Sequence, residues 1–414
     1  MIGLFLQMVA GFLVARLVAP STLGLFNGFA LANKYALMTQ FGTINGLARE
    51  IPYAIGQDDY QRAKEQTAAG FAWMTLMTGI VFVILAGLGV HQLFLGPTEN
   101  AVGWFTFAFI VSFTLLFHMY EVTYRTHSNF GKLAKIEIVR AVLSVLTLVA
   151  VYFLDYYGLC IRGWLLGFVS LALVYIWRPM KSVRPSWSWA NLKSLWKVGL
   201  PIYAVAQLEV LWQAVNGTLV LKILGTHGMG LFALALTIGN VMQIIPNAFS
   251  KVTLPRAAMM FGKDGQFRGV VKTLIKPTLV LFAMMAPAVA IGIPVVDWFT
   301  RAFLPNYVEG IAAAQWSLVM AGLWSLRVIN VALTVVRRQD ILFINTLAGI
   351  LVYGGVLWWL NTPEPYLASF PQAMVAGRVT YLLMGYGSAM ILLNKEGVSP
   401  KKDAEPLDRN DDEG

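Results

Sequence analysis

The chain has few charged residues and almost no cysteine. Charged residues make up only 13% of the 414 positions and hydrophobic residues 57%, whereas about a quarter of a soluble domain is charged. The single cysteine, Cys160, excludes an internal disulfide and any metal site built from cysteines. The four histidines lack metal-ligand spacing, and no glycine-rich phosphate loop is present. The sequence therefore predicts no metal, no cofactor and no catalytic residues, so it does not favour an enzyme.

Long apolar runs dominate what is present. The mean hydropathy is +0.65, and many runs approach the roughly 20 residues that a transmembrane helix needs. Strands of a membrane barrel would alternate instead of forming continuous runs. We predict an all-α polytopic membrane protein with about 12 transmembrane helices. The spans are roughly 1–18, 23–48, 68–95, 101–124, 133–154, 157–177, 198–222, 228–254, 273–300, 310–336, 340–360 and 372–393.

The positive charges are concentrated in alternate loops. A net charge of +10 could suggest a nucleic-acid partner, but here the basic residues lie in short connections between apolar runs. They crowd the loops after spans two, four, six, eight and ten, and the other loops carry one or none. By the positive-inside rule this pattern predicts cytoplasmic termini and no nucleic-acid partner.

The chain contains a repeat of half its length. A shift of 206 residues places Gly24-Leu25-Phe26 on Gly230-Leu231-Phe232, and it aligns Gly56, Asp58 and Arg62 with Gly262, Asp264 and Arg268. A half-length period in an apolar chain predicts two related lobes of six helices each. We expect an N-terminal lobe over 1–177, a basic, Trp-rich interfacial linker over 178–197, a C-terminal lobe over 198–393 and a disordered tail over 394–414. The linker is either a hinge between the lobes or a plain connection.

Several polar side chains interrupt the apolar spans, where each needs a partner, a cavity or a function. Lys34 lies near the middle of span two, too far from either end for its stem to reach the interface, with Asn27 and Asn45 near its helical face. Asn240 occupies the equivalent position in the second copy of the repeat, and Gln243 lies one turn away. The two repeated helices are therefore expected to carry polar stripes that face inward.

Spans seven and ten carry further polar groups. Span seven has Glu209, Gln213 and Asn216 at helical spacing, with Trp212 beside them. Glu209 either pairs with a base across the helices or relays a proton or cation. Span ten has Arg327, with Trp324 and Asn330 on its face, and the shift places Glu121 of span four at its equivalent position. Arg378 lies near a helix end, where it is expected to reach the interface.

The repeated stretch resembles a known family. "ARLVAPSTLGLFNGFALANKYALMTQFGTINGLAREIPYAIGQDD" is similar to the opening of bacterial polysaccharide or O-antigen flippases, within the multidrug, oligosaccharidyl-lipid and polysaccharide exporter superfamily. "KILGTHGMGLFALALTIGN" is similar to the start of the second lobe of these proteins. The resemblance implies pseudo-symmetric lobes around a central cavity in the bacterial inner membrane. It also implies export, by alternating access, of an isoprenoid-diphosphate-linked oligosaccharide for surface polysaccharide or O-antigen.

The resemblance and the polar positions together suggest roles for particular residues. Lys34 and Arg327 would hold the diphosphate, and Trp212 or Trp324 would stack on a sugar ring. Many relatives have an aspartate near Asn216, which this chain lacks, so Glu209 becomes the first candidate for ion coupling and Glu121 the second. The expected partners are the lipid-linked substrate, membrane lipids, and the polymerase and glycosyltransferases of the pathway. The side chains expected to bond sugar hydroxyls are Asn27, Asn240, Gln243, Gln213 and Asn216.

Two alternatives remain at this point. The first is a cation-coupled exporter of drugs or organic cations in the same superfamily, and the central lysine counts against it. The second is a membrane polysaccharide polymerase or ligase, which would need a large external loop with catalytic basic residues. The external loops of this chain are short.

Overall fold

The computed structural model describes residues 2–127, 129–179, 183–264, 266–336 and 338–394. Within these ranges the regular structure is helical and no strand occurs. Short 3₁₀ segments at Leu37–Gln40, Pro305–Gly310 and Trp324–Ile329 interrupt the longer helices. The α-helices are α1 (Ile2–Leu17), α2 (Pro20–Ala36), α3 (Thr43–Gly56), α4 (Tyr60–Leu95), α5 (Thr98–Thr126), α6 (Phe130–Leu146), α7 (Leu148–Ile176), α8 (Trp189–Asp264), α9 (Phe267–Phe303), α10 (Ile311–Leu323), α11 (Asn330–Val335), α12 (Gln339–Leu360) and α13 (Ser369–Asn394).

Seven of the described helices are long and apolar enough to cross a membrane, namely α4, α5, α7, α9, α12, α13 and the segment Trp189–Ser250 of α8. That last segment has 62 residues, about 93 Å of helix, which is roughly three times the thickness of the hydrocarbon layer. It is broken at Gly225, which has φ 69°, and α7 is broken in the same way at Asp155 with φ 46°. Both breaks fall in predicted connections between spans. The prediction of an all-α polytopic membrane protein is confirmed.

The second predicted span is not one straight helix. After α2 and the 3₁₀ turn, Phe41 (φ 50°) and Gly42 (φ 76°) are left-handed, and α3 starts a new axis at Thr43. A Cβ on Gly42 would lie 2.8 Å from the carbonyl carbon of Gly199, so only glycine permits this approach to α8. The expectation that Asn45 shares a helical face with Lys34 is therefore wrong, because the chain changes direction between them.

The repeat appears in the packing of α2 against α8. A Cβ on Gly24 would lie 1.7 Å from the Thr226 carbonyl oxygen, and a Cβ on Gly230 would lie 1.7 Å from the Pro20 carbonyl oxygen. The 206-residue shift exchanges these two contacts. Contacts that are reciprocal in this way are what a two-fold relation produces. The two copies of the glycine motif thus meet directly, and neither position has room for a side chain.

A second reciprocal pair extends this relation. A Cβ on Gly11 of α1 would lie 3.9 Å from Thr237 Cγ2, and a Cβ on Gly217 of α8 would lie 2.6 Å from Leu31 Cδ2. The same shift of 206 residues exchanges these contacts. The 206-residue repeat found in the sequence is therefore present in the packing of α1 and α2 against α8.

The chain forms two compact units. One consists of Met1–Thr237, Asp297–Ala314 and Glu364–Phe370, and the other of Ile238–Val296, Gln315–Pro363 and Pro371–Gly414. In the first unit α3, α4 and α5 enclose a core that contains Leu47, Ile51, Met74, Leu115 and Met119, all fully buried. In the second unit α9 buries Val270, Leu274 and Leu281. The boundaries expected for the lobes, the linker and the tail remain a prediction.

Candidate functional site

Lys34 is the cation of the first unit on which the candidate site is centred. It lies in the last turn of α2, three residues before the 3₁₀ turn, and its side chain is half-buried. Within the described residues no carboxylate lies within 4.0 Å of its ammonium group. The acid that acts on it electrostatically is Glu209 of α8. A cation without a close acid is available to bind an anion.

Glu209 and Gln213 form the polar face of α8 near this lysine. Gln213 Nε2 donates a hydrogen bond to Glu209 Oε1 at 3.1 Å. Gln213 is exposed and Glu209 is half-buried, so the amide can meet a ligand while it orients the carboxylate. Glu209 and Gln213 thus form a hydrogen-bonded pair on α8, and the Glu209 carboxylate acts electrostatically on Lys34 of α2. We call these three residues the Lys34 centre.

A hydrogen bond joins the two helices of the Lys34 centre. The Tyr35 hydroxyl and Thr218 Oγ1 lie 2.7 Å apart and link α2 to α8. Both residues also line a cavity of about 570 Å³ between α2, α4, α5 and α8. Beside them, Asn33 Oδ1 is buried and has no hydrogen-bond partner among the described residues. The contact between Tyr35 and Thr218 thus borders an apolar cavity, and Asn33 provides an unused acceptor on α2.

The second unit contains a cationic centre of a different kind. The guanidinium carbons of Arg327 and Arg378 each lie 4.3 Å from the centroid of the Trp324 ring. Trp324 is 9% exposed and Arg378 is 4% exposed, so much of this cluster is enclosed by protein. Cation–π contacts hold both arginines on the indole. We call this cluster the Arg327 centre.

Span ten loses its α-helical geometry at the Arg327 centre. The segment Trp324–Ile329 is 3₁₀-helical between α10 and α11. A 3₁₀ segment inside a longer helix often marks a functional site. Asn330 follows it at 4% exposure, and its side-chain amide has no hydrogen-bond partner among the described residues. A buried amide without a partner beside two arginines is a further group that could bind a ligand.

The other predicted site residues are placed as follows. Trp212 and Asn216 are 1% and 3% exposed, so protein encloses them in this conformation and neither presents a surface to a sugar. Trp324 is likewise covered, and the arginines occupy its ring, so it acts as their support. Asn27 of α2 is half-buried. On the α8 segment of the second unit, Asn240 is exposed and Gln243 is half-buried.

Glu121 already has partners on its own helix. His118 Nδ1 lies 3.1 Å from Glu121 Oε2, and Arg125 Nη2 donates to Glu121 Oε1. Both partners lie one turn away on α5, at spacings that suit such pairs. The Glu121 carboxylate is therefore compensated by two side chains of its own helix.

Two arginines are more buried than the sequence predicted. Arg378 was expected to reach the interface, but it is 4% exposed and stacks on Trp324. The helix α13 begins at Ser369, three residues before the predicted span, so Arg378 lies more than two turns from its start. Arg162 was treated as a helix-end charge, yet it is half-buried and its Nη2 donates to Ser144 Oγ at 2.9 Å. Arg162 Nε is buried with no partner among the described residues. The only sequence signal for either residue was a charge in an apolar run.

The described residues contain no group of three or more His, Cys, Asp or Glu side chains that could hold a metal ion.

Comparison with protein families gives a match over residues 13–307 to the polysaccharide biosynthesis protein family. This match covers more than half of the chain. The chain belongs to the polysaccharide biosynthesis protein family. No curated protein sequence is significantly similar to this family member.

Solved structures place this polysaccharide biosynthesis family protein in a known fold. An inward-facing multidrug resistance MATE family transporter of the MOP superfamily aligns with a TM-score of 0.72 at 14% identity, over 94% of each chain. The lipid II flippase MurJ, in an inward closed conformation, aligns with a TM-score of 0.66 at 9% identity, over 94% of this chain and 86% of MurJ. At such identities the likeness establishes the fold alone, which is that of the MOP superfamily transporters.

A third relative differs in the character of its binding pocket. A MOP superfamily transporter from Pyrococcus furiosus aligns with a TM-score of 0.63 at 15% identity, over 95% of this chain and 94% of that protein. The reverse polarity of the binding pocket of that transporter suggests a different function for it. These three solved proteins, which share their fold with the polysaccharide biosynthesis family protein, are two transporters and a lipid II flippase.

Proposed function

We propose that this polysaccharide biosynthesis family protein moves an isoprenoid-diphosphate-linked oligosaccharide from the cytoplasmic to the outer leaflet of the bacterial inner membrane by alternating access. The observation that carries the proposal is the Lys34 centre, in which no carboxylate of the described residues lies within 4.0 Å of the Lys34 ammonium group. A diphosphate is an anion and a sugar chain is strongly hydrated, so neither crosses about 30 Å of hydrocarbon unaided. A cation inside the protein gives the diphosphate the favourable electrostatic interaction that hydrocarbon lacks.

The chemistry of each polar group suits one part of such a substrate. The Lys34 ammonium is a point charge with three donors, which is suited to phosphate oxygens. In the first unit the exposed amide of Gln213 and the half-buried Asn27 of α2 would bond sugar hydroxyls. In the second unit Asn240 offers an exposed amide of its own. Arg327 and Arg378 provide a second site for anions in the other unit. The expected pathway partners are the glycosyltransferases and the polymerase that make and use the substrate.

Glu209 is our candidate for ion coupling. It is half-buried, and it is the acid that acts on Lys34. When it binds a proton or sodium ion, the net charge at the Lys34 centre becomes more positive, so uptake of the ion and of the diphosphate favour each other. When the ion leaves, the restored carboxylate repels the diphosphate.

The test replaces Lys34 with Ala in cells that lack the native protein. We expect loss of surface polysaccharide and accumulation of the lipid-linked precursor in the cytoplasmic leaflet, at normal protein level in the membrane. Lys193→Ala, which removes an exposed cation near the start of α8, is the matched control and should behave as wild type. Normal surface polysaccharide in the Lys34→Ala cells would refute the role of Lys34, and drug sensitivity without a polysaccharide defect would favour the drug exporter.

A further inference from the structure

The 3₁₀ segment in span ten aligns three side chains. In a 3₁₀ helix the side chains three residues apart eclipse one another, whereas an α-helix turns them about 60° apart. Trp324 and Arg327 lie in the segment Trp324–Ile329, and Asn330 follows it as the first residue of α11. The three side chains therefore form one row, which carries an indole, a guanidinium and an amide.

This row lies along α13. At one end the Arg378 guanidinium stacks on the Trp324 ring, and at the other end a Cβ on Gly385 would clash with Asn330 Oδ1. Trp324 and Asn330 are about 12 Å apart along the 3₁₀ axis, and Arg378 and Gly385 are about 10 Å apart along α13. The row and α13 thus match in length, and the glycine lets the amide lie against the α13 backbone.

The row is positively charged. Among the described residues no carboxylate lies within 4.0 Å of the Arg327 guanidinium. The guanidinium carbons of Arg327 and Arg378 each lie 4.3 Å from the centroid of one ring, so they are separated by no more than twice that distance. A cation–π contact offsets only part of the cost of burying a charge. An anion between the row and α13 would be attracted by both arginines.

Asn330 indicates what kind of anion fits. Its side chain is buried, and neither Nδ2 nor Oδ1 has a hydrogen-bond partner among the described residues. Since Nδ2 can only donate and Oδ1 can only accept, the missing partner has to accept one hydrogen bond and donate another. Chloride and sulfate carry no proton to donate at neutral pH, whereas hydrogen phosphate can do both.

The enclosure of the row limits the size of this anion. Trp324, Arg378 and Asn330 are buried, and Arg327 is half-buried. A ligand that contacts all of these groups has to enter beside Arg327 and to be nearly covered by protein. A free inorganic anion meets this condition, whereas a diphosphate between a sugar chain and a lipid does not.

We infer that the Arg327 centre, together with Asn330, binds a small protonated oxyanion of the hydrogen phosphate type. The planar guanidinium of Arg327 donates to two of its oxygens, and Asn330 Nδ2 donates to a third. The O–H of the anion donates to Asn330 Oδ1, and Arg378 adds a second positive charge. The site does not depend on the role proposed for Lys34.

The test compares phosphate with sulfate, which has the same shape but no proton at pH 7. Both are titrated by calorimetry into the purified wild-type protein in lipid nanodiscs at constant ionic strength. We expect phosphate to bind about tenfold more tightly than sulfate, because only phosphate satisfies the Asn330 acceptor. Equal affinities, or no binding of phosphate, would overturn the inference without any variant having to fold.

A phosphate monoester tests the enclosure. Glycerol 3-phosphate should bind about tenfold more weakly than phosphate, because its glycerol group has no room beside the covered row. Equal affinity for the two compounds would show that the site accepts a phosphate on a larger molecule, such as a lipid head group, and would overturn the assignment to a free anion.

Three variants test the separate contacts. Asn330→Leu has a similar volume but lacks both polar atoms, so phosphate should bind only as weakly as sulfate does. Arg327→Gln should weaken both anions about tenfold. Arg338→Gln removes another cation of the second unit, one that pairs with Asp340, and should leave both affinities unchanged. Retained preference for phosphate in Asn330→Leu, or equal losses in Arg327→Gln and Arg338→Gln, would contradict the inference.

Discussion

Gly24 and Gly230 are equivalent positions of the repeat, and each approaches the helix that carries the other in the same way. Lys34 and Asn240 are also equivalent, yet one is a cation beside Glu209 and the other a neutral amide. The same holds for Glu121 and Arg327, an acid compensated on its own helix and a base stacked on Trp324. The halves thus share the residues that assemble them and differ in the residues that carry charge. The proposed substrate is asymmetric as well, because it carries its diphosphate at one end only. The unequal charges of the two halves therefore suit it better than two identical halves would.

The largest effect is expected where the halves are the same. Gly24→Leu and Gly230→Leu should each prevent assembly, because a Cβ at either position would lie 1.7 Å from a backbone oxygen. The cost should exceed the ~1–3 kcal/mol of ordinary overpacking, since the helices themselves must separate. Size-exclusion profiles and thermal unfolding of the purified variants would measure the loss.

Gly87→Leu is the control for these variants, because a Cβ there meets no atom within 4 Å. Its unfolding free energy should stay within about 0.5 kcal/mol of wild type. Wild-type behaviour of either glycine variant would contradict the reciprocal contact.

The sequence predicted the elements of this comparison unevenly. The repeat was visible in the sequence because no side chain larger than that of glycine fits where these helices contact each other's backbone, so both copies have glycine there. Lys34 was visible because a charged residue stands out in an apolar run. The association of Lys34 with Glu209 was not visible, because it depends on how α2 packs on α8. The break at Gly42 was missed because a single glycine in an apolar run is common, and the burial of Arg378 depends on a helix end that hydropathy locates only within several residues.

The next largest effect tests whether the lysine must be at position 34 or can act equally well at the equivalent position 240. Lys34→Asn should weaken binding of a polyisoprenyl diphosphate about tenfold to a hundredfold, since a hydrogen bond from a charged group contributes about 1.5–3 kcal/mol. Adding Asn240→Lys to that variant exchanges the two residues. We expect the exchange not to restore binding, because Glu209 and Gln213, the other members of the Lys34 centre, act at position 34 and not at position 240. Full restoration in an equilibrium binding assay would mean that the two halves are equivalent sites.

A smaller effect separates the two kinds of cationic centre. Arg327→Lys keeps the charge but loses the planar group that stacks on Trp324, so we expect transport to fall about tenfold. Lys34→Arg keeps a charge that does not depend on stacking, and transport should stay within about threefold of wild type. Flux of a fluorescent lipid-linked sugar in proteoliposomes measures both. If Arg327→Lys were the milder change, the Arg327 centre would act by charge alone.

The smallest effect concerns the acid beside Lys34. Glu209→Gln keeps an acceptor for the Gln213 amide but removes the negative charge nearest the proposed diphosphate site. We expect the diphosphate probe to bind about fivefold more tightly, because a repulsive charge is lost, while gradient-driven transport falls because no group is left to bind the coupling ion. These opposite changes separate coupling from positioning. If Glu209 only positioned Lys34, its removal would weaken binding and transport together, and the difference between the two halves would then be one of geometry and not of charge.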